Sequence, residues 1–122
     1  MAERARWILA CAGVALGALH LSLAILLFPG FSLDALWFAG SGLAILLGGM
    51  LNIFGRLAIY YRAGRIVLIG ANVLVAGFFA MAWIVLPQPQ VLVGFMLFAA
   101  LGVLSWKGRS PDAVAWRVTP SP

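Results

Sequence analysis

The chain has 122 residues, of which 65% are hydrophobic and only 9% charged, against roughly 25% charged residues in soluble domains. That balance, with a mean hydropathy of +1.11, excludes a soluble globular domain and a disordered chain. The net charge of +5 does not point to nucleic acid, because the basic residues sit at the ends of apolar segments, where membrane topology accounts for them.

Met1 to Arg6 is a short polar start carrying Arg4 and Arg6, followed by an apolar run from Trp7 to Phe28 that only His20 and Ser22 interrupt. About 22 residues at 1.5 Å rise span roughly 33 Å, enough to cross a hydrocarbon core. The run is too long for an ordinary signal-peptide core and lacks a small-x-small cleavage site, so it reads as a retained helix. Cys11 is the sole cysteine, which rules out an intramolecular disulfide and any multi-cysteine metal or iron–sulfur site. A small apolar packing role fits it.

Pro29 and Gly30 end the first helix, Ser32 is placed to cap the next, and Asp34 falls in the first turn, where the helix dipole favours an anion. The second helix is expected over about 33–60. Its residues Gly40, Ala44, Gly48, Asn52 and Arg56 recur every four positions and stack along one face, which should meet other helices and not lipid. Tyr60 to Arg65 forms an aromatic and basic turn, with Gly64 as the expected left-handed terminator. A third helix follows over about 66–86. Pro87-Gln88-Pro89-Gln90 stops it, since neither proline fits an ordinary helix interior. The fourth helix, about 91–106, is near the lower length limit for a span. Residues 107–122 form a polar tail, in which Ser110-Pro111-Asp112 resembles a helix start and Trp116-Arg117 suits the interface.

These segments predict an all-α polytopic membrane protein, a four-transmembrane-helix antiparallel bundle over 1–106. All eight basic residues, Arg4, Arg6, Arg56, Arg62, Arg65, Lys107, Arg109 and Arg117, lie before the first helix, beside the turn between helices two and three, or after the fourth. Positively charged loops stay inside, which puts both termini in the cytoplasm and the Pro29–Asp34 and Pro87–Gln90 loops outside. The tryptophans agree: Trp7 and Trp106 mark the inner interface and Trp37 and Trp83 the outer one.

Few residues carry chemistry. His20 is an intramembrane ionisable group, a functional candidate by default; its plain role is a hydrogen bond to a neighbouring helix through one ring nitrogen. Asn52 and Asn72 stand at similar depth on adjacent helices and are placed to hydrogen-bond each other, with a polar pocket shared with Arg56 as the functional alternative. Arg56 otherwise snorkels to lipid phosphates. Gly13 with Gly17, Gly40 with Gly48, Gly70, Ala76 with Gly77 and Ala80 on the third helix, and Gly94 with Gly102 are the helix-packing positions. There is no histidine–carboxylate cluster, no phosphate loop and no nucleophile with a base, so neither an enzyme nor a bound metal or cofactor is expected.

The four-helix size invites comparison with small multidrug resistance transporters, but their membrane-embedded glutamate in helix one has no counterpart here, where only His20 stands. The segment WFAGSGLAILLGGMLN, Trp37 to Asn52, is similar instead to small uncharacterised four-helix inner-membrane proteins of bacteria. That resemblance implies a multi-pass protein of the inner membrane and transfers no functional residue. The sequence therefore points to a non-catalytic accessory or structural component, its partners being the lipid bilayer and a larger membrane complex or further copies of itself. The competing class is a small oligomeric transporter or a small-ligand or lipid-binding protein, using His20 or the Asn52 and Asn72 pair.

Overall fold

Each apolar segment forms one helix. The structure, a computed structural model, describes residues 2–55 and 61–107. It contains α1 (Ala2–Leu27), α2 (Leu33–Phe54), α3 (Arg62–Val85) and α4 (Pro89–Trp106). All four are long and apolar enough to cross a membrane. Short connections force each helix to run back beside the one before it. One end of the bundle, the basal end, therefore holds Ala2, Phe54, Arg62 and Trp106, and the other, the loop end, holds Leu27, Leu33, Val85 and Pro89.

Local chemistry sets the helix ends. The Ser32 hydroxyl accepts from the Ala35 backbone N–H at 3.1 Å, so the expected N-cap of α2 forms. At α4, Pro89 occupies the first turn, where its missing N–H costs nothing and its fixed φ suits the helix. The helix thus begins two residues earlier than the proline pair suggests and reaches 18 residues, or about 27 Å.

Three expected boundaries move. Helix α1 starts at Ala2 and not Trp7, because Ala2, Glu3, Arg4, Ala5 and Arg6 are nearly all strong helix formers with an acid in the first turn. Helix α2 stops at Phe54, short of Tyr60. At Gly55 ψ is 3°, which turns the next peptide off the helical path, and a Cβ there would lie 2.6 Å from the Leu68 side chain. Gly64 is no left-handed terminator: α3 begins at Arg62 and runs through it, and no described glycine has positive φ. Arg56, Tyr60, and the tail residues Arg109, Ser110, Asp112, Trp116 and Arg117 lie outside the described residues.

The helices pack as two antiparallel hairpins, α1 with α2 and α3 with α4, joined by narrower contacts between α1 and α4 and between α2 and α3. Within the first hairpin the backbones touch. A Cβ on Gly17 would lie 2.4 Å from the Leu46 nitrogen, and one on Gly49 would lie 2.7 Å from the Val14 nitrogen. Only glycine allows that approach. The second hairpin closes differently, with the Phe79 ring against Gly94, where a Cβ would lie 2.9 Å from Cε1.

The core takes residues from every helix: Ala10, Ile45, Ala76, Phe79, Val91, Leu97, Phe98 and Leu101. Phe98 is wholly buried and fills the notch above Gly48, 2.5 Å from where a Cβ would stand. It also lies parallel to Phe79, with ring centroids 6.5 Å apart. Phe98 therefore ties the two hairpins together.

Candidate functional site

In an apolar chain the buried polar side chains are the informative ones. Among the described residues they are Arg6, Asn52, Asn72 and Ser105, one from each helix. They share the basal end. Gly49 meets Ala10 and Val14, Gly13 meets Leu97, and Gly102 meets Asn72, so helical register puts Asn52, Asn72 and Gly102 at one level, with Arg6 and Ser105 about one turn nearer the end.

Asn52 and Asn72 close a reciprocal pair across the α2–α3 seam. Asn52 Nδ2 donates to Asn72 Oδ1 at 2.7 Å, Asn72 Nδ2 donates to Asn52 Oδ1 at 3.0 Å, and the second Asn52 N–H reaches Gly48 O at 2.8 Å. Both side chains are at most 2% exposed. The amides thus satisfy each other and leave no opening for a ligand. Gly102 packs alongside, its Cβ position in ordinary contact 3.6 Å from Asn72 Cβ. One turn on, the Ser105 hydroxyl is fully buried and makes no hydrogen bond among the described residues.

His20 lies elsewhere, in the half of α1 toward the loop end and seven residues before Leu27, or about 10 Å from the helix end. Gly42 makes room for it, with a Cβ position 3.2 Å from His20 Cβ and Cδ2. Its ring stacks on Phe38 with centroids 3.9 Å apart and planes 14° from parallel, and Phe28 tilts against Phe38 at 5.5 Å. Ser41 Oγ stands 3.2 Å from His20 Nε2 and 2.8 Å from Phe38 O. The carbonyl can only accept and is the nearer of the two, and Ser41 has a single proton to give; one arrangement places that proton on Phe38 O. In that arrangement Nε2 carries the ring proton and donates to Ser41 Oγ. Nδ1 is then an acceptor with no partner among the described residues, on a side chain that is only partly buried.

The sequence-derived positions therefore separate. Asn52 and Asn72 meet; His20 does not join them; Arg56 is not among the described residues. Gly13, Gly17 and Gly48 sit at close helix contacts, but Gly40 faces outward with nothing within 4 Å of its Cβ position, and so do Gly70 and Gly77. The face through Gly40 is not the inner one. Steps of four residues advance 400°, so the stripe drifts 40° per step and has turned about 120° between Gly40 and Asn52. The buried positions of α2 are Gly42, Ile45, Gly48, Gly49 and Asn52.

Two interior residues went unread in the sequence, and each had a signal. Arg6 shares the stripe of Ala10, Gly13 and Gly17 along α1, and Ser105 follows Gly102 by three residues on the inner face of α4. Among the described residues no three of His, Cys, Asp and Glu come together. A shallow hollow of about 370 Å³ lies against Glu3, Arg4, Trp7 and Ile8 on α1. No protein-family model, curated protein or solved structure matches the chain.

Proposed function

We propose that this is a non-catalytic integral membrane protein of four spans, an accessory or structural component of a larger membrane assembly. The observation that carries the reading is the division of its glycines. Gly13, Gly17, Gly48 and Gly49 are used up inside the bundle, whereas Gly40, Gly70 and Gly77 open outward among large exposed apolar side chains such as Val67, Val73, Leu74 and Met81. Gly70 and Gly77 are seven residues apart on α3 and share a face. In lipid, where no hydrophobic force drives helices together, such small-residue faces let a second backbone approach.

Orientation follows from charge. Arg4, Arg6, Arg62, Arg65 and Lys107 gather at the basal end, and Asp34 is the one charged described residue toward the loop end. The positive-inside rule puts the basal end, with both termini, in the cytoplasm. The likeness of Trp37–Asn52 to bacterial four-helix proteins supports an inner-membrane location.

Gentle extraction from native membranes followed by native mass spectrometry tests the accessory role. Reproducible recovery with a larger protein, lost in Gly70→Leu and Gly77→Leu variants that still fold, is the expected result. A monomer that carries no protein partner in any mild detergent would overturn it. The alternative of a small-ligand binder is favoured by one observation, the open nitrogen of His20.

A further inference from the structure

The two sites that could serve a ligand differ in whether their hydrogen-bonding capacity is already spent. At Asn52 and Asn72 each amide nitrogen and oxygen already has a partner, and the pair is closed in the interior. At His20 the capacity is not spent. With the Ser41 proton on Phe38 O, Nε2 is the donor to Ser41 and the ring presents Nδ1 as an acceptor with no partner among the described residues. Phe38 covers one face of the ring, with centroids 3.9 Å apart.

Hydrocarbon contains almost no hydrogen-bond donors, and an acceptor left open there costs free energy. A donor arriving on an apolar body recovers that cost. The surroundings at His20 are aromatic, with Phe38 stacked on the imidazole and Phe28 tilted against Phe38. Aromatic groups receive an aromatic ring edge-on or offset at a gain of about 0.5–1.5 kcal/mol.

We propose that His20, with Ser41, Phe38 and Phe28, forms a binding site for a membrane-dissolved amphiphile whose head is a hydroxylated aromatic ring, the phenol or hydroquinone class, with its hydroxyl donating to Nδ1. The inference rests on α1 and α2 being embedded in the bilayer; it is independent of any protein partner. Ser41 is a positioning residue, since it touches only Nε2 and selects which nitrogen stays open.

Because His20 is the sole histidine, its two ring nitrogens give one pair of 15N resonances in the full-length protein. The protein is placed in nanodiscs and titrated with 4-hexylphenol, with its methyl ether, which has the same shape and no donor, and with 1-octanol. In the unliganded protein Nε2 should be the protonated nitrogen and Nδ1 the bare one. Hexylphenol should move the Nδ1 resonance while the ether leaves it in place, and partition of labelled phenol into loaded over empty nanodiscs should exceed that of the ether by about fivefold, the worth of one hydrogen bond. His20→Asn, which keeps an acceptor oxygen near the Nδ1 position, should retain the preference, and His20→Phe should lose it. A proton on Nδ1, an equal response to the ether, or no response overturns the site. An equal response to octanol overturns the aromatic class. Doxyl-labelled lipid in the same sample separates the two failures: bleaching of the His20 signal without a phenol response overturns the site, and absence of bleaching overturns the embedding on which it rests.

Discussion

Replacing the asparagines singly and together probes the inner end of the bundle most sharply, because the two partners are not equivalent. Asn72→Leu removes both amide–amide bonds yet leaves one Asn52 N–H on Gly48 O, so one oxygen and one N–H are stranded. Asn52→Leu removes the same two bonds and leaves the whole Asn72 amide without a partner among the described residues, at 1% exposure. Interhelical hydrogen bonds in lipid contribute about 0.6 kcal/mol on average and up to about 1.7, so the pair supplies about 1–3 kcal/mol. Each stranded buried group adds about 1–3 kcal/mol. The expected losses are then about 3 kcal/mol or more for Asn72→Leu and about 1 kcal/mol more for Asn52→Leu, which strands one further N–H. The double variant has leucine facing leucine and nothing stranded, so it should unfold within about 1–2 kcal/mol of the wild type. Reversible unfolding in bicelles, followed by tryptophan fluorescence, gives all four corners of the cycle. Single losses that simply add in the double variant, to within about 0.5 kcal/mol, would refute the reciprocal pairing.

Gly17→Ala should destabilise the α1–α2 hairpin by about 1–3 kcal/mol or more, since its Cβ meets backbone at 2.4 Å, while Gly40→Ala should leave the same unfolding curve unchanged. Phe98→Ala empties the centre of the core and should cost about 3–5 kcal/mol, read as a shift of the unfolding curve in the same assay. Ser32→Ala removes the cap at the Ala35 N–H and should cost about 0.5–2 kcal/mol, with amide exchange accelerated at Ala35 and not at the basal end.

Much of this architecture can be read from the chain. Four apolar runs, broken by Pro29-Gly30 and by Pro87 and Pro89, announce four helices, and Ser32 announces where the second begins. The pairing of Asn52 with Asn72 is legible because both stand at the same depth on either side of a short turn. Helix termini are less legible, because the physics that sets them is tertiary. Phe54 is the last helical residue of α2 owing to the way Gly55 sits beneath Leu68, and that contact joins residues far apart in sequence. The inner face of α2 was misplaced at Gly40 for a simpler reason: a spacing of four overshoots the helical turn, and over 12 residues the error carries a side chain from the interior to the surface. Arg6 was taken for a flanking charge because the apolar run begins after it, although α1 extends past it and turns it inward along the stripe of Gly13 and Gly17. The His20 site was legible only in part. Its single histidine marks the place, but that Ser41 and Phe38 meet the ring and leave Nδ1 open depends on how α1 crosses α2.

The measurement that bears most directly on the account is the sidedness of the four connections in the intact membrane. In a Cys11→Ser background, single cysteines are placed at Ala2, Phe31, Gln88 and Lys107 and treated with a membrane-impermeant maleimide before and after permeabilisation. Four spans with both ends inside predict labelling of Phe31→Cys and Gln88→Cys from outside and of Ala2→Cys and Lys107→Cys only after the membrane is opened. Labelling of Ala2→Cys and Lys107→Cys on opposite sides, or of all four positions from outside, would contradict it.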